Sequence, residues 1–255
     1  MSANQPGQPP VDEASSTSNL ETPSSVLAIG AHPDDVEFGC GATLAKWAAR
    51  GCVVHHLICT DGSKGTWDTQ ADLTELVLRR QEEQREAARR LTGTGAGEVR
   101  FLSVPDGELT SDPATVERVV RVIRELRPEA VLSHDPWKQY RLHPDHRAAG
   151  YLVCDAVVAA RDPHFFPGQQ LTHHRPRALM LWEAQVPAHV EDVSGFVDRK
   201  IDALEAHRSQ FESTMHAVDE GQLEAFRARI RTDLTRLGAP FGFAAAEVFA
   251  LVRDL

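Results

Sequence analysis

The run Ala31-His32-Pro33-Asp34-Asp35 sets one imidazole and two adjacent carboxylates within four residues. His32 and Asp35 are three apart, a spacing that in a tight turn brings an imidazole and a carboxylate onto one metal ion and leaves Asp34 free to act on water. A second cluster, His143-Pro144-Asp145-His146, adds two imidazoles and a carboxylate. Two imidazoles and a carboxylate drawn from the two clusters would make three protein ligands and leave one position open for water, the arrangement of catalytic rather than structural zinc. Such an ion lowers the pKa of water to roughly 7, which provides a nucleophile at neutral pH.

Residues so far apart in the chain can meet only if the fold delivers both clusters to one place. Short β-rich runs alternate with amphipathic stretches: strands are expected at 25–30, 52–60, 98–103, 130–134 and 178–184, and helices at 41–50, 73–91, 113–127 and 143–160. Asp112 and Pro113 read as the N-cap and first residue of one helix, and Pro128 ends it. This β-α-β alternation implies a Rossmann-like, mostly parallel sheet sandwiched by helices in a single domain. In such sheets ligands bind beyond the carboxyl ends of the strands, where 31–35 and 143–146 both lie. Later, helices are expected near 197–211 and 220–237, and a late edge strand at 245–253. The segment 163–176, rich in proline, glycine and histidine, reads as a surface loop overhanging the site, with histidines that are not ligands.

Composition removes other classes. A net charge of -10 argues against a nucleic-acid partner, which requires a clustered basic surface. The four cysteines, Cys40, Cys52, Cys59 and Cys154, form no CxxC pair, so neither a zinc knuckle nor a redox motif is indicated. Residues 1–24, rich in Ser, Pro, Gln and Thr, read as a disordered tail without signal-peptide character, leaving 25–255 as the domain. No run approaches the ~18 consecutive apolar residues of a membrane span. The chain is therefore expected in the cytoplasm, without a membrane partner, and a homo-oligomer is left open. A nucleotide-binding Rossmann protein is disfavoured because the loop after the first strand carries His and Asp where a pyrophosphate needs bare backbone.

On the AHPDD of Ala31 to Asp35 and the HPDH of His143 to His146, the sequence resembles the PIG-L/LmbE-like zinc deacetylases. Further matches are Gly39-Cys40-Gly41, Thr60-Asp61-Gly62, Arg80-x-x-Glu83 with Ala87 and Ala88, His134-Asp135-Pro136, and His207-x-Ser209-Gln210. The likeness spans Val26 to Phe211 and implies a deacetylase of N-acetylglucosamine-containing intermediates such as those of mycothiol, bacillithiol and GPI-anchor synthesis. It implies one Zn2+ per chain on His32, Asp35 and His146, with Fe2+ or another divalent ion as the alternative. Asp34 would be the general base, and His143 a protonated electrophile, oriented and charged by Asp145, that also protonates the departing amine. Arg80 and Asp106 would bind the substrate, a small N-acylated amino sugar. The pattern departs from the commonest one in having Val36 after the second aspartate, which leaves Glu37 without a role. Cleavage of mycothiol S-conjugates or of an acylated secondary metabolite is the alternative activity, and a catalytically silent binding module is disfavoured because Asp34 and His143 are both present.

Overall fold

A computed structural model describes residues 17–93 and 96–255. Eight strands form one sheet: β1 (Thr17–Ser18), β2 (Ser25–Gly30), β3 (Val53–Thr60), β4 (Ala96–Val104), β5 (Ala130–His134), β6 (Ala178–Trp182), β7 (His189–Asp192) and β8 (Ala246–Arg253). The helices are α1 (Asp35–Ala48), α2 (Leu73–Thr92), α3 (Pro113–Leu126), α4 (Pro144–Arg161), α5 (Val197–Leu204) and α6 (Glu220–Gly238). The strand order is β1-β7-β8-β6-β5-β2-β3-β4. Strands β4, β3, β2, β5 and β6 pair in parallel, and β8 runs antiparallel to β6 and β7.

From β2 the chain winds outward through β3 to β4, then returns to place β5 on the other side of β2. The point where strand order reverses therefore lies between β2 and β5, the strands that precede the two polar clusters. Strands buried on both faces read as continuous apolar runs. Val26, Leu27, Ala28 and Ile29 of β2 accordingly contribute alternately to two cores: Leu27 and Ile29 pack with α3 and α4, and Val26 and Ala28 with α1. A further cluster joins α5 and α6 beneath the start of α1, with Phe226 fully enclosed.

Four expectations change. Helix α1 begins at Asp35, not 41, and is kinked at Cys40, whose φ of -148° leaves the helical range. Strand β8 lies between β6 and β7 and is not an edge strand. The expected 197–211 helix ends at Leu204 and continues as short turns through Met215. The 163–176 loop does not overhang the site. It packs at the opposite edge of the sheet, where His174 Nε2 meets the Pro128 carbonyl at 2.7 Å and Arg124 bonds Gln169. The tail expected at 1–24 lies outside the described residues up to 16, but Thr17–Ser18 pair with β7 as a short parallel strand.

Candidate metal centre

Strands β2 and β5 end side by side, and the turn after β2 brings both carboxylates under buried backbone. Asp34 takes φ 101° and ψ -27°, a left-handed conformation that non-glycine residues rarely adopt, and the chain then enters α1. Asp35 folds back to accept the His32 N–H at 2.7 Å. At α4, His143 is the N-cap: its Nδ1 accepts the Asp145 N–H at 3.3 Å, and Pro144 occupies the first helical position. This cap directs His146, one turn on, toward β2.

Three imidazoles converge on one carboxylate. Asp35 Oδ1 lies 3.2 Å from His146 Nε2, and Oδ2 lies 3.3 Å from both His32 Nδ1 and His134 Nε2. His32, His143 and His146 also offer ring nitrogens within 4.8 Å of one another. Burial works against ionised Asp35, but His146 and His134 outweigh it and hold the carboxyl well below its ordinary range. Burial likewise opposes a charged His146, and Asp35 raises its pKa nonetheless. Imidazole and carboxylate donors gathered in this way fit a divalent metal cation.

The far side of His32 is also held. Its Nε2 faces Asp145 Oδ2 at 3.1 Å and Asp106 Oδ1 at 3.2 Å. Asp145 is fully buried and accepts from the backbone N–H of Gly107 and Leu109 at 2.6 and 3.2 Å. This corrects one expectation. The Asp145 carboxylate orients His32, and it is the Asp145 backbone N–H that orients His143. With Nδ1 of His143 accepting, the neutral ring carries its proton on Nε2. Burial, reinforced by His32 and His146 and opposed by Asp145 and Asp35, lowers the His143 pKa from its ordinary value. Burial also opposes ionisation of Asp106, yet its hydrogen bonds to His32 and Lys64 hold it at about 2.

Asp34 behaves oppositely to its neighbour. Burial, opposed by Arg80 and aided by Asp35, pushes its pKa up to about 6. Arg80 is itself buried: Nη1 donates to the Gly62 carbonyl and Nη2 to the Pro33 carbonyl, each at 2.7 Å, and Nη2 lies 3.6 Å from Asp34 Oδ2. Two of its nitrogens thus grip loop backbone, so the expected substrate contact is reduced to what remains on the cavity wall. Glu83 does not pair with Arg80; it accepts from the Ser209 N–H and hydroxyl at 2.9 and 2.6 Å. Asp61 serves the turn, accepting from Ser63 N and Asp106 N.

Two residues matter more than their sequence signal suggested. His134 Nδ1 faces two donors, Trp182 Nε1 and Arg141 Nη1, both at 3.1 Å, and its Nε2 faces Asp35 Oδ2 and the Ala31 N–H, each at 3.3 Å. Trp182 in turn lies flat against Gly39, where an added Cβ would stand 2.5 Å from the indole. The signal for His134 was the His134-Asp135-Pro136 match at the end of a strand; for Trp182 there was none. The whole constellation opens into a cavity of about 960 Å³, lined by His32, Asp34, Asp35, His143 and His146 and, from α6, by Ile230, Asp233, Leu234, Arg236 and Leu237.

A doubly wound α/β domain with imidazoles and carboxylates gathered at its switch point is the architecture of an enzyme whose site could hold a divalent cation. Residues 27–157 match the family described as PIG-L, GlcNAc-PI de-N-acetylase, and the chain belongs to it. It is similar to the diacetylchitobiose deacetylase of Thermococcus kodakarensis, 38% identical over 189 residues, covering 73% of this chain and 70% of the relative. The crystal structure of N,N'-diacetylchitobiose deacetylase from Pyrococcus horikoshii superposes with a TM-score of 0.81 at 28% identity, covering 91% of this chain and 84% of that one. The 4-oxalmesaconate hydratase of Pseudomonas putida is also similar, 28% identical over 206 residues, covering 75% of this chain and 76% of the relative. The chain is a hydrolase of the family's deacetylase type, and among the described residues no helix is long and apolar enough to cross a membrane.

Proposed function

We propose that this chain removes the acetyl group from an N-acetylated amino sugar, with Zn2+ held by His32, Asp35 and His146. The observation that carries this is the convergence of imidazoles on Asp35 beside a second carboxylate, Asp34, whose pKa is displaced in the opposite direction. A divalent cation on those ligands supplies Lewis acidity, acidifying water and polarising the acyl oxygen. Asp34 accepts the proton from the attacking water. His143, neutral with its proton on Nε2, donates a hydrogen bond to the acyl oxygen as negative charge develops there. The C–N bond then breaks, and the proton held by Asp34 passes to the departing amine, giving acetate and the free amino sugar. Asp145 and Asp106 fix the ring of His32, as carboxylates commonly do for metal-ligating histidines.

The cavity is far larger than an acetyl group, which supports a substrate carrying a sugar and a further substituent. In this reading Asp106, which lines the cavity, also meets a sugar hydroxyl. The chain works in this reading as a soluble cytoplasmic enzyme, consistent with four unpaired cysteines.

The test is amine release from a panel of N-acetylglucosaminides by zinc-loaded protein, set beside hydration of a conjugated dicarboxylic acid, because one relative is a hydratase. Release of acetate and amine in equal amounts supports the reading. Hydration without amine release refutes it.

A further inference from the structure

The left-handed conformation of Asp34 needs a cause, since its side chain caps nothing in α1. Both ends of one peptide unit are gripped from α2. The Pro33 carbonyl accepts from Arg80 Nη2 at 2.7 Å, and the N–H of the same peptide, that of Asp34, donates to Gln84 Oε1 at 3.0 Å. Arg80 and Gln84 are one helical turn apart on the buried face of α2, so they clamp a single peptide plane. Rotating that plane would change φ of Asp34 and swing its carboxylate. Conformations of this kind persist only where the surroundings over-determine them.

Gln84 cannot turn its amide around. Its Nε2 donates to Glu37 Oε1 at 2.8 Å, and Glu37 Oε2 faces His207 Nε2 at 3.3 Å. Gln84, Glu37 and His207 are all fully buried. The carboxylate of Glu37 accepts only, so the amide nitrogen must point to it and the amide oxygen to Asp34. A glutamate at 84 would set two carboxylates face to face. None of the three residues touches the ring nitrogens gathered on Asp35.

We infer that Gln84, aligned by Glu37 and His207, is a positioning residue that sets the Pro33–Asp34 peptide and thereby aims the Asp34 carboxylate. The inference rests on Asp34 acting as the base. Gln84→Met keeps the bulk and removes the acceptor. In zinc-loaded protein kcat is expected to fall about 10–100-fold with KM and zinc content retained. In metal-free protein the Asp34 amide is expected to exchange its hydrogen faster. The single variant Gln84→Glu should lose kcat similarly, whereas Glu37→Gln combined with Gln84→Glu reverses donor and acceptor and should restore most of the kcat and the amide protection. Unchanged kcat and unchanged Asp34 protection in Gln84→Met would overturn the inference. So would a folded, zinc-containing double variant no better than the single one. Full turnover in Asp34→Asn would instead remove the base assignment, and amide protection would still report on the clamp.

Discussion

Adjacent carboxylates, Asp34 and Asp35, occupy opposed electrostatic situations. Asp35 is surrounded by imidazoles and held ionised, whereas Asp34 is desolvated with its pKa raised to about 6. Environments that push two neighbouring acids apart assign them different work, one holding a cation and one moving a proton. Asp34→Asn is therefore expected to retain the cation while kcat falls roughly 10²–10⁴-fold, the usual contribution of a positioned base; metal content and kcat measured on one preparation check both halves. The pH dependence follows with a definite sign. Asp34 accepts a proton only when ionised, so activity is present above its pKa and lost as pH falls through it. A cation beside it lowers that value, which sets the acid limb of kcat/KM at or below pH 6 or so. Burial holds the His143 pKa below its ordinary value, so no limb between neutrality and pH 8 should disappear in His143→Ala. Because Asp145 holds Nε2 of His32, Asp145→Ala should weaken cation affinity about 10–100-fold in a chelator competition, with the fold retained.

Close packing at the start of α1 is what lets the helix approach β6. Gly39→Ala would drive a methyl group into the Trp182 indole, which carries the hydrogen bond to His134. Overpacking of this kind costs about 1–3 kcal/mol, to be read as a lower urea midpoint. An unchanged midpoint would show that the indole moves aside freely. The sequence made some of these elements easy to read. Strands β2 and β5 carry uninterrupted apolar runs that end at polar residues, and their limits were legible to the residue. The start of α1 was hidden because its first turn is occupied by Asp35 and Glu37, which serve the site and the buried network, and because Cys40 interrupts the helical period. β7 escaped notice because its buried residues include His189 and Glu191, polar groups satisfied by each other at 2.7 Å. The misplacement of the 163–176 loop was avoidable: a segment that feeds a parallel strand must enter at the edge opposite the strand's carboxyl end. Of the site, both clusters were legible as ligand-type residues at strand ends. The partner of the Asp145 carboxylate and the peptide clamp from α2 were not, because they depend on side-chain direction across three elements.

At the scale of the molecule, the parallel half of the sheet carries the chemistry and the mixed half closes it off. That mixed half is tied to α1 by a buried ion pair: Lys46 bonds Glu191 on β7, with Asn19 Oδ1 and the Asp192 carbonyl each 3.0 Å from its ammonium. Removing one member of such a pair leaves an uncompensated charge, so Glu191→Ala should destabilise the chain by about 3–5 kcal/mol in chemical denaturation, while Lys46→Met combined with Glu191→Leu should recover only the part due to charge, because His189 Nε2 and the Leu20 N–H still lose their acceptor. Equal loss in the single and double variants would mean that packing, not charge, is what Glu191 supplies. The most direct test of the whole account is zinc stoichiometry and amine release followed together as a chelator is titrated into the wild-type chain and into His146→Ala. The account predicts about one zinc per wild-type chain, activity lost in step with it and restored by readdition, and neither zinc nor activity in the variant. Amine release that persists after the zinc is gone would contradict it.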